Sequence, residues 1–359
     1  MKTFEEIFTD KTKYGVKVQT SEYGKRGKYI IIDQGQSQIA GYTDREEGVF
    51  EELPVIVFGD HTRTIKYVDK PFFLGADGVK VLRSKDSNAN YKYLYYALKS
   101  AKIPDTGYNR HFKWLKKIQI NYPDNNRQEE IVQILDKVSD IIKNRESELS
   151  ALDELIKARF VEMFGDPVAN PKGLIKKTLP ELGEFGRGVS KHRPRNDEAL
   201  LSGPYPLIQT GDVANSGLYI TEYHSTYSEL GLQQSKMWDE GTLCITIAAN
   251  IAKTAILGFD ACFPDSIVGF IANEDTNNVF VHYWFSFFQE ILESQAPESA
   301  QKNINLKILS ELKVIVPNIQ EQNEFADFVV QVEKTKDTIQ KSLDETQILF
   351  DSLMQKYFG

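Results

Sequence analysis

The sequence contains two diverged copies of one pattern, and this internal repeat limits the possible folds more than any other feature. The segment LKKIQINYP (115–123) matches LSELKVIVP (309–317) at a shift of 194 residues, which is 309 minus 115. The same register continues without a gap, so that Gln128 falls on Gln322. Because the hydrophobic pattern recurs in the same order, we expect two similar domains rather than one large core.

Further upstream, the shift between the two copies changes. Residues 79–98 cover residues 268–287 at a shift of 189, which places Asn88 on Asn277. The runs YIIID, PVIVFG and GVKVL in the first copy are typical of strands, and so are TLCITI, TAILG and IVGFI in the second. Each copy therefore predicts an α/β domain.

After each α/β part, the sequence predicts one long helix with an apolar stripe. Apolar residues recur in steps of three and four from Ile131 to Met163, and again from Phe325 to Leu353. This spacing is typical of a coiled coil. A helix of roughly 40 residues is about 60 Å long, which is more than a small domain buries, so each stripe needs a partner. The first helix ends where the second domain begins, and the second helix leaves that domain. If the two helices pair within one molecule, they are therefore antiparallel. Pairing between two copies of the chain is the alternative.

The predicted fold class is α+β, with two pseudo-symmetric α/β domains joined by two long antiparallel coiled-coil helices. The predicted boundaries are 1–122 for the first domain, 123–166 for the first helix, 167–316 for the second domain and 317–359 for the second helix.

Composition argues against several classes of protein. The formal net charge is −8, hydrophobic residues make up 41 % of the chain and charged residues 26 %. No run approaches the roughly 20 apolar residues of a membrane span, and the start lacks the apolar run of a secretory signal. The acidic balance argues against non-specific coating of nucleic acid. We expect a cytoplasmic protein without membrane contact, in which Cys244 and Cys262 are core residues of strands.

Motifs for catalysis are missing from the sequence. It has no GxxxxGK[ST] phosphate loop, no tetrapeptide of the amino-methyltransferase type and no recognisable nuclease constellation. The glycines of GEFGRG (183–188) lack the strand-then-helix context of a nucleotide site. Its five histidines are scattered along the chain. We therefore expect no catalytic residue, no metal site and no cofactor.

Several segments together resemble the specificity subunit of type I restriction–modification systems over essentially the full chain. These segments are GKYIIIDQG (27–35), AGYTD (40–44), VIVFGDHTR (55–63), GADGVKVL (75–82), RQEEIVQIL (127–135), RFVEMFGDP (159–167) and YPLIQTGDV (205–213).

The resemblance implies a non-catalytic subunit with two target-recognition domains, each of which reads one half of a split, asymmetric DNA sequence. It implies that the paired helices act as a spacer and as the docking site for methyltransferase subunits. The implied partners are double-stranded DNA, two methyltransferase subunits, and restriction or translocase subunits that perform the ATP-driven chemistry.

If the two domains read different half-sites, the sequences of their strands should be similar and the sequences of their loops should differ. Strand PVIVF (54–58) matches LCITI (243–247), yet GDHTRTIK (59–66) faces AANIAKTA (248–255). Arginine is a common partner of guanine, and asparagine is a common partner of adenine. The basic run at residues 186–195, which includes His192, is better suited to contacts with phosphates. The candidate DNA-binding residues are His61, Thr62, Arg63, Lys66, Tyr108, Asn109, Arg110, Lys191, Arg193, Arg195, Asn250, Lys253, Gln301, Lys302 and Asn303.

Two alternatives from other classes stay open at this point. One is a cytoplasmic coiled-coil scaffold with two protein-binding modules. The other is a nuclease that acts through Asp60, His61 and Asp77.

Overall fold

The computed structural model describes residues 1–75, 77–248, 251–295 and 304–359. The chain divides into two compact units. Unit 1 comprises Met1–Glu146 and Lys341–Gly359, and unit 2 comprises Ser147–Gln340. Within the described residues, no helix combines the length and the apolar character that a membrane crossing requires.

Unit 1 contains two small sheets and one further strand pair. Its strands are β1 (Lys2–Thr3), β2 (Phe8–Asp10), β3 (Tyr29–Ile32), β4 (Gly41–Thr43), β5 (Val55–Gly59), β6 (Ile65–Val68), β7 (Phe72–Leu74), β8 (Val79–Ser84) and β9 (Gln119–Ile120). The first sheet is antiparallel with the order β2-β8-β5-β6, and the second has the order β4-β3-β7 with β3 and β7 parallel. Strand β5 is a continuous apolar run because both of its faces are buried.

The helices of unit 1 that begin at Phe4 and Tyr91 are preceded by polar residues whose side chains cap free backbone N–H groups. Asn90, for example, accepts a hydrogen bond from the N–H of Tyr93. The helices are α1 (Phe4–Ile7), α2 (Tyr91–Lys99), α3 (Phe112–Leu115) and the part of α4 (Asn125–Phe164) that precedes Ser147, with short 3-10 turns at Thr12–Tyr14 and Thr20–Glu22.

Unit 2 contains the same kinds of sheet. Its strands are β10 (Ile175–Thr178), β11 (Gly183–Arg187), β12 (Leu201–Leu207), β13 (Tyr219–Ile220), β14 (Ser225–Tyr227), β15 (Met237–Trp238), β16 (Leu243–Thr246), β17 (Thr254–Leu257), β18 (Ala261–Cys262), β19 (Ile267–Ala272) and β20 (Lys313–Val316). The sheet orders are β11-β19-β16-β17-β13 and β14-β12-β18-β15, and β10 pairs with β20.

Its helices are α5 (Leu179–Leu182), α6 (Thr210–Asn215), α7 (Glu229–Gln233), α8 (Asn278–Trp284), α9 (Phe288–Gln295), α10 (Leu306–Glu311), the rest of α4 and the first half of α11 (Ile319–Phe358), with 3-10 turns at Glu198–Leu200 and Phe285–Phe287.

The two units share one strand plan, which confirms the predicted pair of similar domains. The order β2-β8-β5-β6 recurs as β11-β19-β16-β17, and the parallel pair β3–β7 recurs as β12–β18. The first helix of each unit starts with the same capping box, Thr3 with Glu6 in unit 1 and Thr178 with Glu181 in unit 2. Both cysteines are buried strand residues, as predicted.

The register predicted between strand and helix is wrong by two residues at the helix caps. Asn90 caps α2 and Asn277 caps α8, so the true shift at this point is 187 (277 minus 90) rather than 189, and Asn277 corresponds to Asn90 instead of Asn88. One residue of the difference comes from the connection between strand and helix, which is residues 85–90 in unit 1 and residues 273–277 in unit 2. The other comes from the strands, because β8 ends at Ser84 and β19 at Ala272, a shift of 188. A gapless sequence comparison does not detect such a change.

The two long helices run antiparallel to each other in each unit. In unit 1, the guanidinium of Arg127 lies 5.7 Å from the ring centre of Tyr357, and Arg145 donates to the hydroxyl of Thr346. In unit 2, the ammonium of Lys336 lies 2.7 Å from the carboxylate of Asp153. The helix pair thus forms within one chain, as predicted from connectivity.

A buried glutamine near the start of each long helix shows how closely the two units correspond. The amide nitrogen of Gln322 donates to the carbonyl of Pro317 at 2.9 Å, and that of Gln128 donates to Pro123 at 2.8 Å. The side-chain oxygen of Gln322 accepts from the hydroxyl of Thr276 at 2.9 Å, whereas that of Gln128 has no partner among the described residues. Ala89 stands where unit 2 has Thr276.

The substitution Ala89→Thr should therefore stabilise unit 1. It supplies a hydroxyl donor for the buried oxygen of Gln128, and satisfying such a group contributes about 1 kcal/mol. Ala89→Val has the same shape without the hydroxyl and is the matched control. Urea unfolding of both variants measures the difference, and equal midpoints for threonine and valine would contradict this prediction.

Candidate nucleic-acid interface

In unit 1, several loops meet at one end of the sheet β2-β8-β5-β6. We call this group loop cluster 1; it comprises residues 11–17, 33–38, 59–64, 77–78 and 104–111. Gly59 pairs with Val79, and the N–H of Asp60 donates to the carbonyl of Gly78 at 2.7 Å, so the hairpin tip lies beside the start of β8. The other end of β8 leads to Asn90, whose amide donates to Glu129 on α4 at 3.0 Å. Loop cluster 1 is thus at the end of the sheet away from the long helix.

Gln34 joins three of these loops. Its side-chain oxygen accepts from the N–H of His61 at 3.2 Å, and its amide nitrogen donates to the carbonyl of Asp77 at 3.1 Å. The hydroxyl of Thr62 donates to the backbone carbonyl of Gln34 at 2.5 Å. The sequence prediction missed Gln34 because one glutamine in a loop carries no pattern of its own.

Arg63 connects the hairpin tip to the loop that precedes α3. Its backbone has a φ of 61°, and its N–H donates to the carbonyl of Gly59 at 2.8 Å, which closes the turn. The guanidinium donates to the carboxylate of Asp105 at 2.7 Å and to the carbonyl of Ile103 at 3.4 Å. The pKa of Asp105 is lowered by the N–H of Gly107 and then by Arg63, so this carboxylate is a stable anchor for the arginine.

An aromatic pair lies next to this arginine. The ring of His61 stacks on that of Tyr108, with the ring centres 4.7 Å apart and an angle of 12° between the planes. The side chain of Tyr108 is 87 % exposed. Arg110 is also exposed, whereas the amide of Asn109 donates to the carbonyl of Thr106. The structure therefore brings together His61, Arg63 and Tyr108 of the predicted residues on one exposed surface.

Beneath that surface, two buried polar residues hold the loops together. Asp60 accepts from the N–H of Phe112 at 2.7 Å and so caps α3. The imidazole Nδ1 of His111 lies 3.1 Å from the carbonyl of Asp60. Asp60 is 4 % exposed, while Asp77 pairs with Lys17 at the surface. Across the described residues, no group of three or more His, Cys, Asp or Glu side chains could hold a metal ion.

The structure places Lys66 away from the surface, against the sequence prediction. Its side chain is 2 % exposed, and its ammonium donates to the carbonyl of Ser37 at 2.6 Å and lies 3.5 Å from Asp33. Burial lowers the pKa of this lysine. The error has a physical cause: the prediction placed Lys66 in the variable segment 59–66, whereas β6 already begins at Ile65 and its buried positions are Lys66 and Val68.

Unit 2 has an equivalent set of loops, loop cluster 2, which comprises residues 187–197, 234–236, 247–248, 251–253 and 263–266. The N–H of Gly188 donates to the carbonyl of Ile267 at 2.9 Å, and the N–H of Ile247 donates to Ser266 at 3.0 Å. These bonds place the basic run and the β16–β17 hairpin tip at the same end of the sheet.

Asp265 organises the arginines of this cluster. Arg195 donates to its carboxylate, and the guanidinium of Arg193 lies 3.7 Å from it. The backbone N–H groups of Lys191 and His192 donate to the side-chain oxygen of Gln234 at 2.7 and 3.0 Å. The basic run is therefore a loop held in a defined conformation by these bonds. The side chains of Lys191, Arg193 and Arg195 in this loop are exposed. Neither Asp265 nor Gln234 was predicted, since each lies far from the run in sequence.

Lys253 occupies the hairpin tip of loop cluster 2. Its N–H donates to the hydroxyl of Thr246 at 3.0 Å, and its side chain is exposed. Ala252 beside it has a φ of 60°, which matches the 61° of Arg63 in unit 1. The remaining predicted residues of this unit lie outside the described residues; these are Asn250, Gln301, Lys302 and Asn303.

The sequence matches the family model of the type I restriction modification DNA specificity domain over residues 2–151 and again over residues 171–347. The chain belongs to this family. As a family member, it is the component of a type I restriction–modification system that provides DNA sequence specificity, and it is not the catalytic one.

Curated members of the family are similar to the chain over most of its length. It is 26 % identical over 357 residues to the specificity subunit of the type I restriction enzyme EcoR124I/EcoR124II of Escherichia coli, which covers 93 % of the chain and 85 % of that protein. It is 23 % identical over 351 residues to a putative type I specificity subunit of Mycoplasma genitalium, with 92 % and 87 % covered.

Solved structures of type I specificity subunits share the fold. The crystal structure of the S subunit from M. genitalium gives a TM-score of 0.62 at 19 % identity, with 100 % of the chain and 95 % of that structure covered. A chain from a structure of type I complex assembly and conformational transition gives 0.55 at 16 % identity, with 99 % and 95 % covered.

Acid should weaken unit 2 through His282, whose Nδ1 lies 3.0 Å from the hydroxyl of Thr254 at the base of the hairpin. Burial lowers the pKa of His282 from 6.5 to about 4. The unfolded chain therefore binds an additional proton between these values, and stability falls as the pH drops from 6.5 to 4, by at most about 3 kcal/mol. The substitution His282→Gln should flatten this pH dependence in urea unfolding. A variant that keeps the full acid sensitivity would assign the effect to another group.

Proposed function

We propose that loop clusters 1 and 2 each read one half of a split, asymmetric DNA sequence. The observation that carries this proposal is that the clusters occupy equivalent ends of equivalent sheets but present different side chains. Cluster 1 presents a stacked His61–Tyr108 pair with Arg63, and cluster 2 presents a basic loop with Lys253. A common scaffold with different reading groups suits two unlike half-sites, whereas a symmetric dimer of identical readers suits a palindrome.

Within cluster 1, we assign base reading to Arg63 and the neighbouring exposed side chains. Arg63 is held by Asp105 in one orientation, and a fixed planar guanidinium is suited to bidentate contact with guanine. Tyr108 and Arg110 project beside it and can contact a base face or a phosphate. Thr62 and Asn109 already bond to backbone carbonyls, so we assign them support of the loop.

Within cluster 2, we assign phosphate contacts to the exposed basic run. Lys191, Arg193 and Arg195 lie on one loop, and contacts of this kind position a protein on DNA without specifying sequence. Lys253 at the hairpin tip, together with Asn250, Gln301, Lys302 and Asn303, is proposed to contact the bases of the second half-site.

The partners we propose are double-stranded DNA, two methyltransferase subunits, and restriction or translocase subunits, acting in the cytoplasm. The support for methyltransferase docking is that both long helices carry exposed apolar side chains, which a docked protein partner would cover. These side chains are Ile134, Ile141, Ile348 and Leu349 in unit 1, and Leu155 and Val161 in unit 2. Each unit carries its own set, which suits one methyltransferase subunit per unit.

Genome-wide mapping of methylated motifs tests the proposal. Deleting the gene should remove one split motif, and restoring the Arg63→Ala variant should relax the motif at one base pair of one half. Loss of a good arginine–guanine pair costs about 1–3 kcal/mol of discrimination. Lys85→Ala, at the opposite end of the same sheet, is the control and should restore the original motif. A change in both halves, or in neither, would contradict the assignment.

Arg195→Ala should act differently, because a phosphate contact carries no sequence information. With the chain assembled with its methyltransferase partner, binding to specific and unrelated duplexes should weaken by the same factor. The slope of log affinity against log salt should decrease by about 1. A variant that loses affinity only for the specific duplex would reassign Arg195 to base reading.

A further inference from the structure

One aspartate holds the same position in both units. Asp77 lies two residues before the start of β8, and Asp265 lies two residues before the start of β19. In both units, the carbonyl of the next residue accepts a hydrogen bond from the first N–H after β5 or β16, at 2.7 Å for Gly78 and 3.0 Å for Ser266. The two aspartates therefore correspond, and each lies in the loop cluster of its unit or directly beside it.

Each of these aspartates binds a basic side chain from the same connection of the strand plan. This connection runs from β2 to β3 in unit 1 and from β11 to β12 in unit 2. In unit 1, the ammonium of Lys17 donates to the carboxylate of Asp77. In unit 2, Arg195 donates to Asp265, and the guanidinium of Arg193 lies 3.7 Å from that carboxylate. Both units thus combine an aspartate with basic side chains, although their hairpin tips carry different residues.

Asp77 also has a second positive charge near it. The hydrogen bond and the charge of Lys17 lower the pKa of Asp77, and the charge of Arg110 lowers it further. All three side chains are exposed. Because two positive charges share one carboxylate, this surface keeps an excess of positive charge that a phosphate can bind.

A groove of about 760 Å³ extends this basic surface in unit 1. Three lysines line it, namely Lys13, Lys17 and Lys80. The carboxylate of Asp10 also lines the groove and lies 3.6 Å from the ammonium of Lys80. Lys13 has no carboxylate partner among the described residues, and its ammonium lies 4.8 Å from the ring centre of the exposed Tyr14. A groove with three lysines and one carboxylate is complementary to a polyanion.

The aspartate is connected by hydrogen bonds to the proposed base-reading residues. The backbone carbonyl of Asp77 accepts from the amide of Gln34 at 3.1 Å, and the side-chain oxygen of Gln34 accepts from the N–H of His61 at 3.2 Å. Gln34 therefore links the aspartate to the stacked pair of His61 and Tyr108. A phosphate bound beside Asp77 would help to position the duplex against this pair, since phosphate contacts set the register of a protein on DNA.

We propose that Lys17, oriented by Asp77, and the neighbouring Arg110 bind a phosphate of the DNA backbone, and that Lys13 and Lys80 in the groove bind further phosphates of the same duplex. This inference rests on the proposed function and deepens it. The arrangement that both units share makes contacts without sequence information, whereas the hairpin tips that differ read the bases.

Duplex binding at several salt concentrations tests the proposal on the full chain assembled with its methyltransferase partner. For Lys13→Gln and for Lys17→Gln, affinity for specific and unrelated duplexes should fall by the same factor. The slope of log affinity against log salt should decrease by about 1 for each substitution. Lys85→Gln, at the opposite end of the same sheet, is the matched control and should change neither quantity.

A conservative variant separates the charge of Lys17 from its support of the loop. Lys17→Gln keeps a hydrogen-bond donor for Asp77 but loses the charge, whereas Lys17→Arg keeps both. The arginine variant should therefore retain the salt dependence of the original protein, and the glutamine variant should not. The methylated motif in cells should stay the same for both variants, because a phosphate contact carries no sequence information.

The substitution Asp77→Asn provides a measurement with the opposite sign. Loss of the carboxylate charge frees two basic groups, so affinity for an unrelated duplex should rise by about two- to fivefold, and the salt dependence should become steeper. Asp69→Asn removes the same charge beyond the other end of β6 and should have no such effect.

The outcomes distinguish this site from the proposed function. An assembled complex that binds no duplex would contradict the proposed function and this site with it. If the complex binds DNA while Lys13→Gln and Lys17→Gln keep the original slope, only the phosphate site is wrong. A loss of affinity confined to the specific duplex would assign Lys17 to base reading and would also overturn the proposal.

Discussion

The core of each recognition unit is completed by a helix from a distant part of the chain. In unit 1, Phe350 and Met354 of α11 are buried in the same cluster as Leu135, and the ring of Phe358 lies 5.3 Å from that of Tyr93. In unit 2, the first half of the same helix contributes Phe325 to the core. The antiparallel helix pair is therefore part of both cores, and the position of each sheet depends on it.

The proposed DNA contacts of the loop clusters combine arginines with neighbouring carboxylates. Arg63 is paired with Asp105, and Arg193 and Arg195 lie beside Asp265. The carboxylates fix the orientation of the guanidinium groups and also reduce their attraction for phosphate in general. For Arg63, which we propose to read a base, a specific duplex would have to offer contacts that compensate for the ion pair with Asp105.

The sequence was sufficient to predict the duplicated α/β domains, the antiparallel helix pair and the buried cysteines, because long periodic patterns report which face of an element is buried. The sequence was insufficient where a shift of one or two residues decides which positions correspond or which side chain is buried. The helix caps Asn90 and Asn277 differ from the gapless register because the strand register and the connection length each differ by one residue. Lys66 was predicted in a variable loop but lies in β6 with its side chain buried. Gln34 and Asp265 organise the two loop clusters through contacts between distant segments, which no local pattern in the sequence reveals.

The ribosome synthesises the sheets of unit 1 well before it synthesises the α11 residues that complete the core of that unit. At about 5–20 residues per second, roughly 10–40 s pass between translation of residue 146 and translation of the last turn of α11. During that interval the sheets of unit 1 exist without Phe350 and Met354, whereas unit 2 receives Phe325 nine residues after β20 ends at Val316. The nascent protein is thus exposed to chaperones and proteases while the core of unit 1 is unfinished.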